Sequence, residues 1–472
     1  MTSPVSSPAH PRDAWRAWIY PRFNGQPHPL SLFADGIIPA ASVWTGMRRW
    51  TQAFRAMGLQ PGDRVVVALP PSAAFLQVLL ASLWEGLTVA LASPRADAED
   101  VLTLVDARCA IALSAGAHTV VPEGSAGPRT EPIAVRTMQH APEPDVRFLL
   151  HTSGTTKAPR WVALSDANVM SVLHSHEPAL ALDEQARLLS VLPWHHAFGL
   201  VIELLPALRA GTEIIRAPNH GRDPRELLQL IEAHAITHLS AVPLTLQRLL
   251  DLPGGREAVQ GLQGGVVGGA AVSASLAEQL QQTRLRVGYG QTEAGPGLML
   301  GAPGAWQANY IGHPTGCRVQ VDGEGQLLFQ GPNACVGLWT EGGFEPLAPD
   351  RWVPTGDLVE ERPTGYVYRG RTDAQFKLSN GRMVQAGRWE AELKEHLPEV
   401  EDALLLTLDG EVLHLMVRLQ PEAAPLDPER VRTLLGPLGP RLHTVHHYPD
   451  ERWIRTRKGA VHRSGMISAM PI

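Results

Sequence analysis

The stretch from Gly58 to Ser93, GLQPGDRVVVALPPSAAFLQVLLASLWEGLTVALAS, decides the fold class of this chain. A turn at Pro61-Gly62 leads into the β-branched run Val65–Val67. An apolar helical segment follows, and a second strand-like run completes the unit. Because strand, helix and strand in this order form the building unit of parallel sheets, the sequence predicts an α/β protein.

The same alternation returns further along the chain. Asp223 and Pro224 supply a capping acid and a first-turn proline, and the helix that they start is predicted to run to about His234. Strand-like segments lie on both sides of this helix. Residues 118–145 are rich in proline and glycine, and we interpret them as a surface connection between two sheet-forming lobes.

The last part of the chain has a different pattern. Short strands prevail after about residue 318. Residues 403–419 form two strand-like runs around Asp409-Gly410, which is a strong hairpin signal, and residues 426–436 have the pattern of a capped helix. A small α+β domain is therefore predicted at the C-terminus.

With 472 residues, the chain exceeds a single ordinary core. We predict a disordered lead-in at residues 1–14. A large N-terminal domain with mixed and parallel sheets, helices and a small β-barrel-like subdomain is predicted at 15–372. The α+β domain would occupy 373–472.

Composition narrows the function classes. The chain is 44% hydrophobic and 19% charged with a formal net charge of −6, so no nucleic acid or anionic membrane partner is expected. Its three cysteines are far apart, which favours a reducing compartment, and we expect a cytoplasmic protein. The opening residues lack the apolar core of a signal peptide. No uninterrupted apolar run of about 18 residues appears, so no membrane span is expected.

The segment 146–169, VRFLLHTSGTTKAPRWVALSDANV, holds the first candidate site. Its apolar strand runs into five small residues, Thr152, Ser153, Gly154, Thr155 and Thr156. Small side chains let backbone N–H groups face an anion, and the hydroxyls add donors. Arg160 adds positive charge. This is a candidate phosphate loop without the ending of a Walker A loop, and a polar turn between two strands is the alternative.

Two further segments contain groups suited to a nucleotide. In 287–296, VGYGQTEAGP, Tyr289 is suited to stack on a base and Glu293 to hold Mg²⁺ through a hard oxygen ligand. Residues 264–272, GGVVGGAAV, lack the spacing of a dinucleotide fingerprint but let a flat ring approach the backbone. A tyrosine turn before a helix is the alternative for the first.

The last candidates lie near the predicted domain border. Asp357, in VPTGDLVE, offers two acceptors for a ribose diol. Arg371, Asp373 and Lys377 lie beside glycines in YRGRTDAQFKLSNGR, residues 368–382. A solvated charged face is the alternative interpretation of that run.

Together, the order and spacing of these motifs resemble the adenylate-forming superfamily, which includes acyl-CoA synthetases, adenylation domains of peptide synthetases and luciferase-like enzymes. TSGTTKAPRWV at 152–162 is similar to the phosphate loop of that family, LPWHHAFGL at 192–200 to its histidine gate, and GGAAV at 268–272 to its adenine-backing segment. YGQTE, TGD and GRTDAQFK follow in family order. The resemblance covers nearly all of residues 15–465 and implies that the C-terminal domain is a mobile lid.

The resemblance also implies a two-step reaction. A carboxylic acid is first joined to the α-phosphate of ATP, with Mg²⁺, and pyrophosphate is released. The acyl group then passes from AMP to the thiol of coenzyme A or of a carrier protein's phosphopantetheine. Because a carboxylate must attack an anionic phosphorus centre, charge must be neutralised at both ends. A small carboxylic acid and CoA or an acyl carrier protein are the implied partners, and the oligomeric state, a homodimer included, stays open.

The same resemblance assigns roles to individual residues. It places the ATP and AMP contacts at Thr152, Ser153, Gly154, Thr155, Thr156, Arg160, Gly268, Gly269, Ala270, Tyr289, Gly290, Gln291, Thr292, Asp357 and Arg371. It assigns Mg²⁺ to Glu293 and Thr155. His196 would line the acid entrance, Lys377 would belong to the catalytic set, and Asp373 would be the hinge.

One position departs from the family in a way that matters for catalysis. In the family, the loop at 454–463, here IRTRKGAVHR, carries a lysine that bridges acid and nucleotide in the first step, and that position is Ala460. Losing one well-placed charge donor costs on the order of 10²–10³ in rate, so the first step is expected to be impaired. Four explanations are open. They are a deliberate Lys→Ala substitution, a natural specialisation for thioester exchange or for binding without turnover, replacement by Lys458, and compensation by Lys157.

Other departures concern the phosphate loop and the acid. Residues common in the family are replaced by Lys157, Ala158, Trp161, Asp166 and Ala271. At the gate, Ala197 and Phe198 lie where amino-acid-activating relatives place an aspartate, so an α-ammonium group would be buried unpaired. We therefore expect an apolar acid, either aryl or fatty.

Two other function classes remain open. A non-catalytic acyl-adenylate or nucleotide-binding protein of the same fold would explain Ala460. A metal protein is suggested by three histidine pairs, His174 and His176, His195 and His196, and His446 and His447. No carboxylate or cysteine spacing completes a metal site beside them.

Overall fold

The computed structural model describes residues 11–24, 29–33, 36–113, 130–135, 145–152, 160–372, 374–380, 383–420, 422–455, 461 and 463–469. The α-helices are α1 (Pro11–Phe23), α2 (Ala40–Ala56), α3 (Ala73–Glu85), α4 (Ala98–Leu104), α5 (Asp166–Leu180), α6 (Leu205–Ala210), α7 (Pro224–Ala233), α8 (Pro243–Leu250), α9 (Gly255–Gly261), α10 (Ala274–Leu280), α11 (Ala386–His396), α12 (Pro428–Leu434) and α13 (Arg463–Ser468). A π-helix spans Phe198–Leu204, and 3₁₀-helices span Pro218–Gly221, Thr292–Ala294, Gly436–Arg441 and Asp450–Arg452.

The strands are β1 (Pro29–Phe33), β2 (Gly36–Pro39), β3 (Arg64–Ala68), β4 (Thr88–Leu91), β5 (Cys109–Leu113), β6 (Thr130–Val135), β7 (Phe148–Thr152), β8 (Arg160–Leu164), β9 (Arg187–Ser190), β10 (Glu213–Arg216), β11 (His238–Ser240), β12 (Val266–Val267), β13 (Arg286–Tyr289), β14 (Met299–Leu300), β15 (Tyr310–Pro314), β16 (Arg318–Val321), β17 (Gln326–Gln330), β18 (Gly337–Thr340), β19 (Gly343–Pro346), β20 (Val353–Arg362), β21 (Gly365–Arg371), β22 (Gln375–Lys377), β23 (Met383–Gln385), β24 (Val400–Leu406), β25 (Leu413–Leu419) and β26 (Leu442–His447).

The βαβ unit predicted from the opening stretch is confirmed. β3 and β4 are parallel neighbours joined by α3, which begins where the Ser72 side chain accepts a hydrogen bond from the Phe75 N–H at 3.1 Å. They lie inside an eight-stranded sheet of order β19-β18-β8-β7-β4-β3-β5-β6. Both strands are buried along their whole length, which explains why their sequences are continuous apolar runs.

A second, three-stranded parallel sheet of order β10-β9-β11 carries the residues that precede the gate. The predicted helix between β10 and β11 is α7. Its N-cap Asp223 accepts a hydrogen bond from the Arg225 N–H at 2.9 Å, and the helix ends at Ala233, as the sequence indicates. Strand β9 ends at Ser190, so the gate begins at the carboxyl edge of this sheet.

Most of the remaining strands form a mostly antiparallel sheet and a small C-terminal sheet, and β1 with β2 and β22 with β23 form two antiparallel pairs. The region predicted to be barrel-like is a sheet of order β12-β13-β14-β15-β21-β20-β17-β16, and its two end strands are not paired with each other in the described part of the chain. The predicted hairpin around Asp409-Gly410 is confirmed, because β24 and β25 pair antiparallel on either side of it. Strand β26 adds parallel to β25, and α12 is capped by Asp427.

Two predictions about loose segments need correction. Residues 11–14 of the predicted lead-in belong to α1, because Pro11 suits a first helical turn, Asp13 adds an acid there, and the fully buried Trp15 ties the helix to the core. The predicted surface connection at 118–145 contains β6, which pairs antiparallel with β5 at the sheet edge. Its neighbours 114–129 and 136–144 lie outside the described residues. No helix in the described part is long and apolar enough to cross a membrane.

A buried ion pair fastens the first helix to the central sheet. Arg147, just before β7, makes a two-pronged contact with Asp166 at the start of α5, at 2.8 and 2.9 Å. The Trp15 indole N–H of α1 donates to the same carboxylate at 2.5 Å. The departure at Asp166 therefore has a structural role: its carboxylate joins α1 to the segment before β7 and to the start of α5.

Replacing Asp166 by asparagine is expected to lower the free energy of unfolding by about 3 kcal/mol, because the Arg147 guanidinium stays buried without its counter-charge. Urea unfolding followed by tryptophan fluorescence measures this loss. The exposed Arg388–Glu392 pair provides the control, and Glu392→Gln should cost less than about 0.5 kcal/mol. Equal unfolding midpoints for the two variants would show that the Asp166 contact contributes little.

Candidate active site

Three of the residues that the sequence singles out meet in one corner. Asp357 of β20 and Arg371 of β21 are register partners, and Arg371 Nη1 donates to Asp357 Oδ1 at 3.0 Å. The Tyr289 hydroxyl, at the end of β13, donates to Asp357 Oδ2 at 2.7 Å. Each carboxylate oxygen thus accepts from a different side chain, so the Asp357 carboxylate is held in a fixed direction.

Local sequence explains why this carboxylate is held so firmly. The Asp357 N–H donates to Thr355 Oγ1 at 3.0 Å, which fixes the turn at Thr-Gly-Asp. Gly356 has φ +74°, and a Cβ there would lie 2.9 Å from Arg371 Nη2, so glycine lets the guanidinium cross the backbone. Burial, and next the nearby Asp357 carboxylate, raise the pKa of Tyr289 well above its ordinary value. The phenol therefore remains a donor at neutral pH.

The glycine-rich segment at 268–270 lies against the neighbouring strand. A Cβ on Gly268 would be 2.6 Å from the carbonyl oxygen of Gly288, which is the residue before Tyr289. Gly269 has φ +81°, and the Phe198 ring is the aromatic group nearest to both glycines, at 3.6 and 4.0 Å from their Cβ positions. The Phe198 ring therefore lies beside the side-chain-free backbone of these two glycines, and Ala270 continues the same segment.

The turn after Tyr289 brings Glu293 toward the predicted phosphate loop. Gly290 is required there, because a Cβ would lie 1.6 Å from the Pro296 carbonyl oxygen. Gln291 precedes the 3₁₀-helix Thr292–Ala294, which packs against β8. Strand β8 begins at Arg160, whose register partner is Thr152 at the end of β7. The turn that contains Glu293 thus lies beside β8, the strand that follows the predicted phosphate loop. A carboxylate is a hard oxygen ligand of the kind that Mg²⁺ prefers.

Several predicted site residues lie outside the described part of the chain. They are Ser153, Gly154, Thr155 and Thr156 of the phosphate loop, the hinge residue Asp373, the Lys377 side chain, and Ala460. Strand β22, which includes Lys377, is described and pairs with β23. The loop that contains Ala460 is closed at its base by a bridge between Arg455 and Val461.

The histidine gate lies between β9 and the π-helix. The rings of His195 and His196 are 4.4 Å apart, with His195 buried and His196 partly buried. Gly199, in the first turn of the π-helix, lets the Pro193 carbonyl oxygen approach closely, because a Cβ at Gly199 would be 2.3 Å from that oxygen. The structure therefore places the predicted acid-entrance residue His196 at a tightly held bend.

The departure at Trp161 is explained by packing. The Trp161 side chain is 2% exposed and lies in the same apolar cluster as Trp339, on the neighbouring strand β18. Its ring meets the edge of His151, 5.5 Å away, and burial lowers the pKa of His151. Trp161 thus belongs to the core under the loop. Lys157 and Ala158 lie outside the described residues, and nothing in the structure explains Ala271.

A buried polar cluster behind the gate was missed by the sequence analysis. It consists of Ser190, Trp194, Glu203 and Arg216, all at most 3% exposed. A glutamate within the apolar run 188–208 was the available signal. Within the described residues, no group of three or more His, Cys, Asp or Glu side chains is placed to hold a metal ion, and this includes the three histidine pairs.

Comparison with known proteins supplies the family. The family model described as AMP-binding enzyme matches residues 41–339. A feruloyl-CoA synthase of Amycolatopsis is 28% identical, covering 80% of this chain and 82% of its own. An anthranilate–CoA ligase of Pseudomonas aeruginosa is 28% identical, covering 79% of each. The solved structure of the anthranilate CoA ligase AuaEII with anthranoyl-AMP superimposes with a TM-score of 0.75 at 18% identity, covering 99% of both chains.

Proposed function

The chain belongs to the AMP-binding enzyme family of the adenylate-forming superfamily, and from that premise we propose that it handles acyl-adenylates of apolar carboxylic acids and transfers their acyl groups to a thiol. The acceptor is coenzyme A or a carrier-protein phosphopantetheine. The acid is aryl or fatty, and the feruloyl and anthranilate ligases among its relatives favour an aryl acid.

The observation that carries this proposal is the corner of Tyr289, Asp357 and Arg371. Asp357 is positioned by a neutral phenol on one side and a guanidinium on the other, so its carboxylate has a fixed direction. A ribose presents two adjacent hydroxyl donors, which match the two carboxylate oxygens. The adenine would lie against the bare backbone at Gly268 and Gly269, beside Phe198.

The choice of an apolar acid is supported by the side chains at the gate. Ala197 and Phe198 follow the two gate histidines and carry no charge. The nearest carboxylate in this part of the chain, Glu203, is buried, accepts a hydrogen bond from Ser190 and is attracted by Arg216. An α-ammonium group entering beside Ala197 and Phe198 would be desolvated without a counter-charge, at a cost of several kcal/mol.

The chain has residues for most of the roles in the first half-reaction but lacks the bridging lysine. Arg160 and the predicted loop 152–156 would bind the distal phosphates, and Glu293 would hold the Mg²⁺ that neutralises them. Ala460 cannot supply the bridging charge of a lysine, so the formation of acyl-AMP would be slow. A domain border near residue 373 would let the C-terminal domain change position between the two steps.

A non-catalytic acyl-adenylate-binding protein is the second candidate, and Ala460 is the observation that favours it. In that case the nucleotide corner binds its ligand without turnover. The two candidates share the nucleotide site and differ only in chemistry.

Transfer from ready-made acyl-AMP separates the two candidates. With feruloyl-AMP or anthraniloyl-AMP and CoA or a phosphopantetheine thiol, the proposed ligase should release AMP and form the thioester, because this step bypasses the adenylation that Ala460 impairs. Liquid chromatography of the acyl-thioester measures the product. Tight binding of acyl-AMP with no thioester above the uncatalysed background would favour the binding protein.

A further inference from the structure

The cluster behind the gate joins four chain segments through one hydroxyl. Ser190 Oγ lies 2.5 Å from Glu203 Oε1, 3.0 Å from Trp194 Nε1 and 2.9 Å from Arg216 Nη1. The indole and the guanidinium can only donate, so they occupy the lone pairs of Ser190, and its single hydrogen is directed to Glu203. The directions of these three hydrogen bonds are therefore fixed while Glu203 is ionised.

The cluster is fastened to the gate backbone as well. Arg216 Nη1 also donates to the Leu192 carbonyl oxygen at 2.6 Å, and its guanidinium lies 5.6 Å from the centre of the Trp194 ring. Trp194, the residue before the gate histidines, packs on Phe75 with ring centres 5.5 Å apart. The gate backbone is thus held in two ways. Arg216 donates to its Leu192 carbonyl oxygen, and Gly199 packs closely against its Pro193 carbonyl oxygen.

The opposite charges of Glu203 and Arg216 are deeply buried, and a gain in stability is a poor explanation for them. Desolvation of a buried pair commonly cancels its attraction, and apolar replacements of similar volume are often equally stable. Glu203 lies within a π-helix, an irregularity that occurs frequently at functional sites. A geometric role for the pair accounts for its presence better than a stabilising one.

We propose that Glu203 and Arg216 are positioning residues for the histidine gate, holding residues 192–196 so that His195 and His196 face the acyl part of the ligand. The inference rests on the proposed function, because it concerns the acid entrance of the same site. Neither residue touches the ligand; each acts through Ser190, Trp194 or the Leu192 carbonyl.

We expect the positioning of the gate by Glu203 and Arg216 to depend on pH. Burial raises the pKa of Glu203 to about 7, against the opposing effect of Arg216. Above that pH the Glu203 carboxylate is ionised, accepts the Ser190 hydrogen and attracts Arg216; below it the carboxyl group is neutral, so this attraction is lost and the gate backbone is held less firmly. The ionisable groups on the gate and on the elements packed around the π-helix are His195, His196, His174, His176, Glu177, Arg209, Arg216 and the α5 residue Asp166. Glu177 and Arg209 pair with each other, Asp166 pairs with Arg147, and His176 is bonded to Ser175.

Titration calorimetry with two ligands tests the proposal. The probes are AMP, which has no acyl part, and benzoylsulfamoyl adenosine, a stable aryl-adenylate analogue. In Glu203→Gln at pH 8 we expect the Kd of the analogue to rise about tenfold with that of AMP unchanged. In the unsubstituted protein, the affinity for the analogue should fall by a similar factor between pH 8 and pH 6, and this dependence should be absent in Glu203→Gln. A partly unfolded sample lowers the stoichiometry and leaves both dissociation constants unchanged.

Two further variants keep the test decisive. The double variant Glu203→Met/Arg216→Met removes both charges, so it should fold, and it should show the same selective loss of affinity for the analogue. Glu177→Gln is the matched control, since it breaks an ion pair on the neighbouring helices away from the gate and should bind both probes normally. An analogue affinity and pH profile that Glu203→Gln and the double variant both leave unchanged would overturn the positioning role. Failure of AMP to bind the unsubstituted protein would instead overturn the proposed function.

Discussion

Replacing Ala460 by lysine is expected to raise the rate of acyl-adenylate formation by about 100- to 1,000-fold, because one well-placed charge donor contributes that much to stabilising developing charge. The described residues on either side of the loop are anchored to the C-terminal domain. Arg455 forms the bridge to Val461 and pairs with Asp402 at 2.5 Å, while Arg463 donates to the Leu405 carbonyl oxygen at 2.9 Å. Acid-dependent exchange of labelled pyrophosphate into ATP measures the gain.

Two variants distinguish a restored charge from other effects. Ala460→Met adds length without charge and should leave the exchange rate low. Lys458→Ala tests whether the neighbouring lysine already acts in place of the missing one; in that case the basal rate drops and lysine at 460 adds little. An unchanged exchange rate in Ala460→Lys, with thioester transfer intact, would show that position 460 does not limit the first step.

Replacing Asp357 by alanine is expected to weaken AMP binding by about 100-fold or more, since hydrogen bonds to a charged group contribute about 1.5–3 kcal/mol each and a ribose would make two. Thermal unfolding should show that the variant is folded. Titration calorimetry with AMP measures the loss directly.

Glu361→Ala provides the matched control for this variant. Glu361 lies on the same strand β20, is exposed, and faces Tyr366 away from the nucleotide corner. Its AMP affinity should equal that of the unsubstituted protein. If Asp357→Ala also binds AMP normally, the ribose contact is elsewhere.

The features that could be predicted from the sequence are those that a few neighbouring residues determine. The run Val65–Val67, the capping pair Asp223-Pro224 and the turn at Asp409-Gly410 each determine a local element through propensity or capping, and each of these elements is found. The chemistry of Tyr289 and Asp357 marks each of them as a candidate nucleotide contact, but only the family resemblance predicts that they and Arg371 belong to one site.

Features that depend on contacts between distant segments could not be predicted in this way. The Tyr289–Asp357 hydrogen bond joins residues 68 positions apart, and Trp15 reaches Asp166 across 151. The role of Glu203 depends on Arg216, a residue that by itself is an ordinary end of a strand. The prediction of disorder for residues 11–14 is wrong because the contact that holds this helix, from Trp15 to Asp166, is made with a residue far along the chain.

Calorimetric titration of AMP into the unsubstituted protein is the most direct test of the nucleotide corner formed by Gly268, Tyr289, Asp357 and Arg371. We predict saturable binding of one AMP per chain with a Kd below about 1 mM, and competition between AMP and benzoylsulfamoyl adenosine. Absence of binding by both ligands to the folded protein would contradict the assignment of this corner, whatever residue occupies position 460.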